Sequence, residues 1–170
     1  MPLTFSASCG VRTSYTLSDP QVIGTAGETA QLRSNRDVQN GTGPNQANAA
    51  WRQRVTVSSG QVYSIDLTNL GATVFGFGGK VSLSNLKEVF VVVSTTSAAY
   101  RILWGVISPA DTTAYAAALG PGSDYRWSDY SVGVAINASN KNIYVANPAN
   151  SGGEATFDLM LVGVGTYIDT

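Results

Sequence analysis

The stretch Asp124-Tyr125-Arg126-Trp127-Ser128-Asp129-Tyr130 holds the densest mixture of aromatic and acidic side chains in the chain. Aromatic faces beside carboxylates can stack on a sugar ring and hydrogen-bond its hydroxyls. Asp124 and Asp129 could also offer oxygen ligands to a Ca²⁺ ion. The plainer expectation is structural: Tyr125, Trp127 and Tyr130 pack against a neighbouring subunit or against their own core.

Nothing else in the chain points to catalysis. There is no histidine, which removes the commonest general base and the commonest metal ligand together. The single cysteine, Cys9, has no partner for an intrachain disulfide or for a thiolate metal site. Lys80, Lys87 and Lys141 fall in no spacing that would activate a serine. The run Gly76-Phe77-Gly78-Gly79-Lys80 looks superficially like a phosphate loop. It lacks the G-x-x-x-x-G-K-[ST] spacing and precedes a strand, so it reads as a glycine-rich hairpin or bend. No catalytic residue, cofactor or metal ion is expected, and the chain reads as non-enzymatic. Asn40-Gly41-Thr42 and Asn137-Ala138-Ser139 match the glycosylation pattern, and with no secretory signal expected both read as chance.

The composition of the 170 residues narrows the partners. Hydrophobic residues make up 44%, enough for a real core, whereas charged residues make up only 12%. That is about half the usual share, so the surface must be built largely from uncharged polar and small residues. Such a surface suits assembly, because few charges need desolvation when subunits meet. The formal charge of −1 provides no long-range field to gather nucleic acid. The densest basic groups are Arg33 with Arg36 and Arg52 with Arg54. Arg52 and Arg54 share a strand face and could meet a phosphate or carboxylate, though a solvated face explains them more simply. The start, MPLTFSASCG, lacks a basic region and an apolar segment, and no run approaches the ~20 apolar residues of a membrane helix. A soluble protein made in a cytoplasm is expected, without a membrane partner.

These residues must be positioned by strands. Residues 1–48 are polar, with short β-like pieces, and end in the loop- or linker-like NRDVQNGTGPNQANAA. They read as an extended N-terminal arm. From residue 49 onward the chain alternates. Trp51, Gln53, Val55 and Val57 oppose Arg52, Arg54 and Thr56; beyond Ser58-Ser59-Gly60, Tyr63, Ile65 and Leu67 oppose Val62, Ser64 and Asp66. This is the period of half-buried antiparallel strands. ATVFGFGGKVSLSN reads as strand, bend and strand; EVFVVVSTT as the central core strand; YRILWGVI as its neighbour. SDYRWSDYSVGVAI supplies another strand, and NIYVAN with EATFDLMLVGV a closing hairpin. About eight strands in residues 49–170 predict an antiparallel β-sandwich. Long connections at 71–80 and 108–123 favour a jelly roll. Trp51 is expected to anchor the point where the arm enters the core.

The order GTGPNQANAAW, IDLTNLG, VSLSNLKEVFVVVS, RILWG, LGPGS, NIYVANPA and DLMLVGVGTY resembles a family of small β-sandwich virion proteins of tailed bacteriophages, which decorate heads or belong to fibres. The resemblance covers roughly residues 38–168 and rests on strand and turn signatures, with no catalytic residues to carry over. It implies a homotrimeric jelly-roll capsid decoration or cement protein. Such a protein would sit outside the major capsid protein shell, its N-terminal residues 1–48 reaching the shell or a neighbouring subunit. The sparse basic residues suit an outside location, away from packaged DNA. The alternatives are a carbohydrate- or receptor-binding module of a tail fibre, with Trp127 central to glycan retention, and a small capsid or tail subunit.

Overall fold

The computed structural model describes residues 7–19, 26–74, 77–94, 100–104, 117–147 and 153–169. Among them run thirteen strands and no helix: β1 (Ala7–Asp19), β2 (Ala26–Asn40), β3 (Gln46–Ala47), β4 (Ala49–Val57), β5 (Val62–Asp66), β6 (Leu70–Val74), β7 (Phe77–Val93), β8 (Tyr100–Trp104), β9 (Ala117–Leu119), β10 (Asp124–Ser128), β11 (Val134–Ala135), β12 (Asn142–Ala146) and β13 (Ala155–Asp169). The all-β expectation is borne out. Ten of these strands fall in residues 49–170, where about eight were expected; β9 and β11 are only three and two residues long.

The alternation of β4 follows its sequence. Trp51, Val55 and Val57 are buried while Arg52, Arg54 and Thr56 are exposed; Gln53, placed on the buried face by its spacing, is exposed too. Two antiparallel sheets share one core, an arrangement consistent with a β-sandwich. The larger runs β10-β7-β13-β4, with β6 and β11 also held on β7, and the smaller runs β5-β12-β8-β9. Val89, Val91, Phe157, Leu159 and Leu161 of the larger sheet join Ile65, Ile143, Val145 and Leu119 of the smaller in one buried cluster. Each such side chain contributes about 1.5–3 kcal/mol through burial.

The valine run is the centre of the fold, as expected. β7 pairs with β13 along its length, and its other edge is shared in turn by β6, β11 and β10. It is one strand of 17 residues, so VSLSN and EVFVVV are continuous. Its register with β13 shifts at Val162/Gly163 and again at Val164/Gly165, leaving Lys87 and Ser84 as extra residues on β7. These two bulges reverse the inward phase between them, which is how Leu83, Leu86 and Val89 can all be buried.

Several expected neighbours are not neighbours. β4 and β5 flank Ser58–Gly60, yet β4 pairs with β13 and β5 with β12. β8, expected beside β7, pairs with β12 and β9. β12 and β13, expected as a hairpin, lie in different sheets. Each sheet buries one face in the same core, so alternation specifies a buried face without specifying a sheet. The long connection expected at 71–80 is instead the β6–β7 hairpin, with Val74 opposite Phe77. Most of the other, 108–123, lies outside the described residues. The pairs β4 with β13, β5 with β12, β7 with β10 and β8 with β9 are nested along the chain.

β1 and β2 form an antiparallel ribbon, with Ala7 opposite Val38 and Asp19 opposite Ala26. β2 meets β3 in a two-residue parallel step. The arm expected over 1–48 is therefore joined to the body before residue 48. Val38 and Ala47 are buried with Tyr130 and Val162, on the other side of the larger sheet from the main core.

Candidate functional site

The aromatic and acidic stretch occupies β10 and the loop beyond it. Tyr125 stands opposite Val91 and Trp127 opposite Val89, and this phase packs both half-buried rings against the main core. Tyr130 follows the strand and is buried in the second cluster, beside Val38, Ala47 and Val162. The three rings do not form one exposed platform. Asp124 and Asp129 are no closer to a shared ion: five residue steps of near-extended chain set them about 16 Å apart. Among the described residues no group of three or more His, Cys, Asp or Glu could hold a metal.

What sequence reading missed lies underneath. Glu88 is buried, accepting a hydrogen bond from Arg126 Nε at 2.7 Å and another from the Tyr130 hydroxyl. Lys87, the bulge residue, is also buried and donates to the carbonyls of Val132 at 2.8 Å and Tyr130 at 3.3 Å. Asn85 Nδ2 donates to the same Val132 oxygen at 3.1 Å. The loop is folded to fit: Asp129 N donates to the Lys87 carbonyl at 2.9 Å, and Asp129 Oδ1 accepts from Ser131 Oγ at 2.7 Å and from the Ser131 and Val132 amides. The Ser131 hydroxyl and these amides hold the Asp129 carboxyl below its usual range. Gly133 closes the loop with φ of 72°, where a Cβ would strike Leu86 O and Asn85 Oδ1. The Tyr130 carbonyl also accepts from the Asn45 amide at 2.8 Å. The seat of the N-terminal segment is thus wired to the bulge. The only local signal was the charged pair Lys87-Glu88 inside an apolar strand, where paired charge is the rule for burial.

The outward face of the larger sheet can be read across its strands in rows. Arg54, Asp158, Val92 and Asp124 make one row, and Arg52, Met160, Phe90 and Arg126 the next. Arg54 grips Asp158 through Nε at 3.0 Å and Nη2 at 2.8 Å, and Arg52 approaches the same carboxylate at 3.8 Å. The hydrogen bond from Arg54 holds the Asp158 carboxyl below its usual range. Between the rows lies a cleft of about 300 Å³ lined by Arg52, Phe90, Val92, Asp158, Leu159 and Met160. Met160 also packs against the cluster around Tyr130, so one side chain borders both the cleft and the seat of the N-terminal segment.

Trp51 lies in the main core, and its Nε1 donates to Gly71 O at 2.7 Å, tying β4 to β6. The N-terminal segment is seated through Val38 and Ala47, which pack on Tyr130 and Val162, with Asn48 N donating to Gly163 O at 3.1 Å and Gly165 N to Asn48 Oδ1 at 2.8 Å. Arg52 and Arg54 share the outward face, as their spacing predicted, with Asp158 as their partner. The arrangement supplies an apolar floor with a charged rim. No family model, curated protein or solved structure matches the chain.

Proposed function

We propose that this chain is a non-enzymatic structural subunit of a tailed-phage particle, a jelly-roll protein that decorates the outside of the head as a trimer and cements its major capsid protein. Support for the jelly roll comes from the nested pairing. With β4, β5, β7, β8, β9, β10, β12 and β13 numbered one to eight, first pairs with eighth, second with seventh, third with sixth and fourth with fifth. That is a long antiparallel hairpin rolled into two sheets, an architecture used by viral capsid proteins and by lectins alike. Fold alone does not choose between those uses.

The observation that carries the assembly reading is the outward face of the larger sheet. Phe90, Val92 and Met160 leave an apolar cleft between Arg52 and Asp158, beside an N-terminal segment seated through Val38, Ala47 and Tyr130. The sugar-binding reading draws less support, since Tyr125 and Trp127 pack against the core and Tyr130 lies elsewhere. Electron microscopy of phage particles labelled with gold-tagged antibody to the purified chain tests the proposal. Gold over the outer surface of the heads is expected; gold confined to tails or fibres, or particles without label, would reject it.

A further inference from the structure

We propose that the loop carrying Val132 in one copy inserts into the outward cleft of the next copy, head to tail, and that such contacts close the trimer. This rests on the assembly reading above and names the contact within it. Val132 is 70% exposed, the most open large apolar side chain among the described residues. Its backbone, by contrast, is fixed at both polar groups. The carbonyl accepts from Lys87 Nζ at 2.8 Å and Asn85 Nδ2 at 3.1 Å, and the amide donates to Asp129 Oδ1 at 3.2 Å. Gly133, with φ of 72°, sets the loop close against Leu86 O. A buried lysine thus holds an apolar side chain out in water. A knob ordered before contact loses little conformational freedom on docking.

The cleft supplies the matching hole, with Phe90, Val92 and Met160 on its floor. An apolar cavity of about 150 Å³ admits a benzene ring. The cleft, at about 300 Å³, has room for the isopropyl group of Val132. The charges match as well. Asp129, ionised, sits beside the knob through its bond to the Val132 amide, and Arg52, 75% exposed and reaching Asp158 at 3.8 Å, stands on the rim of the cleft. A carboxylate beside the knob and a guanidinium beside the hole favour this docking over knob on knob or cleft on cleft. The loop does not fill the cleft of its own copy. It is pinned at Asn85 and Lys87, whereas the cleft opens at Phe90 and Val92, roughly 10–16 Å farther along β7. A contact between two different patches is heterologous and builds either a closed ring or an open filament. In a ring each copy takes part in two contacts, so releasing one copy breaks both.

The test uses full-length chains in which Cys9, the only cysteine, is replaced by Ser. One is tagged and carries Val132→Cys, the other carries Met160→Cys. Mixed and treated with a short bismaleimide, the unlike chains should cross-link, while neither variant should link to itself. No link in the mixture, or a Val132→Cys chain that links to its own kind, overturns the proposal. A chain carrying both substitutions should give cross-linked species that end at the trimer, and a ladder running beyond it overturns the closed ring. In sedimentation velocity wild type should run as a trimer and Val132→Asp as a monomer with an unchanged β circular dichroism spectrum, since a carboxylate on the knob is not accepted by an apolar floor. A Val132→Asp chain that stays trimeric, or a wild type that is itself monomeric, overturns the proposal. Head labelling is scored separately. Cross-linked trimers with unlabelled particles would reject head decoration and leave the contact standing; labelled heads without the cross-link would do the reverse.

Discussion

Glu88 is a carboxylate shut away from water, and its two oxygens are matched by Arg126 and Tyr130. Removing one donor from a buried charge costs more than the net worth of the hydrogen bond, because the remaining group stays desolvated. Tyr130→Phe should therefore destabilise by about 1–3 kcal/mol in urea denaturation. A variant within error of wild type would show that Glu88 finds water instead. The acidic residues of the surface set the pH response. Partial burial raises the Asp66 carboxyl, but hydrogen bonds from Lys141 and Thr68 outweigh it and leave it below its ordinary range; Asp129 and Asp158 are also lowered, by Ser131 and by Arg54. A carboxyl depressed in the folded state adds stability above its unfolded pKa of about 4, and that stability is lost as pH falls through the folded value. Unfolding free energy should thus hold steady from pH 7 to about 5 and fall below about 4. A protein that grows more stable on acidification through that window would contradict these three assignments.

At the scale of elements, the long strand β7 and its partner β13 depend on their two bulges. Gly163 and Gly165 sit opposite Leu86 and Leu83, where a Cβ on Gly163 would meet Asn85 O at 2.2 Å and one on Gly165 would meet Ser82 O at 2.4 Å. The obstacle is backbone, so it cannot swing aside. Gly163→Ala should cost about 1–3 kcal/mol or more, whereas Gly71→Ala, with open space around its Cβ, should be close to neutral. Equal effects in thermal melts would refute the close approach. The crossovers between sheets have their own fastening in Asn147. Its side chain donates to Val57 O at 2.9 Å and Gly153 O at 2.8 Å, while its backbone bonds Gly60 and Gln61. One residue thus holds the β4–β5 corner against the start of β13. Asn147→Ala should destabilise by about 1–3 kcal/mol, measured by urea denaturation, since it leaves buried carbonyls without their donor.

For the whole molecule, the N-terminal segment divides into a ribbon and a seat. Deleting residues 1–30 removes β1 and the tip of β2 and should leave the body folded. Deleting residues 1–45 also removes Val38 and the Asn45 amide bonded to Tyr130, exposing the second cluster. The longer deletion should cost about 1–3 kcal/mol more, read as a lower melting temperature. Equal melting temperatures would mean the seat contributes nothing to the body. The division was hidden in the sequence because Val38 and Ala47 stand among Asn, Gly and Gln, a composition that reads as linker. Their burial depends on Tyr130 and Val162, more than 80 residues away along the chain.

From its sequence alone, this protein's commitment to β structure was legible: the alternation at Trp51–Val57, the central valine run, and the want of any histidine-based chemistry. Those features are local, because side-chain period and residue type need no knowledge of distant partners. The pairing of strands was not legible, and β8 and β12 were each assigned neighbours that lie in the opposite sheet. Tertiary structure also decided the fate of Tyr125, Trp127 and Tyr130, since strand phase and a loop pinned to a bulge set which way each ring faces. A buried face looks the same from the sequence whichever sheet supplies its cover, and only the closing of both sheets around one core selects among the registers that satisfy it.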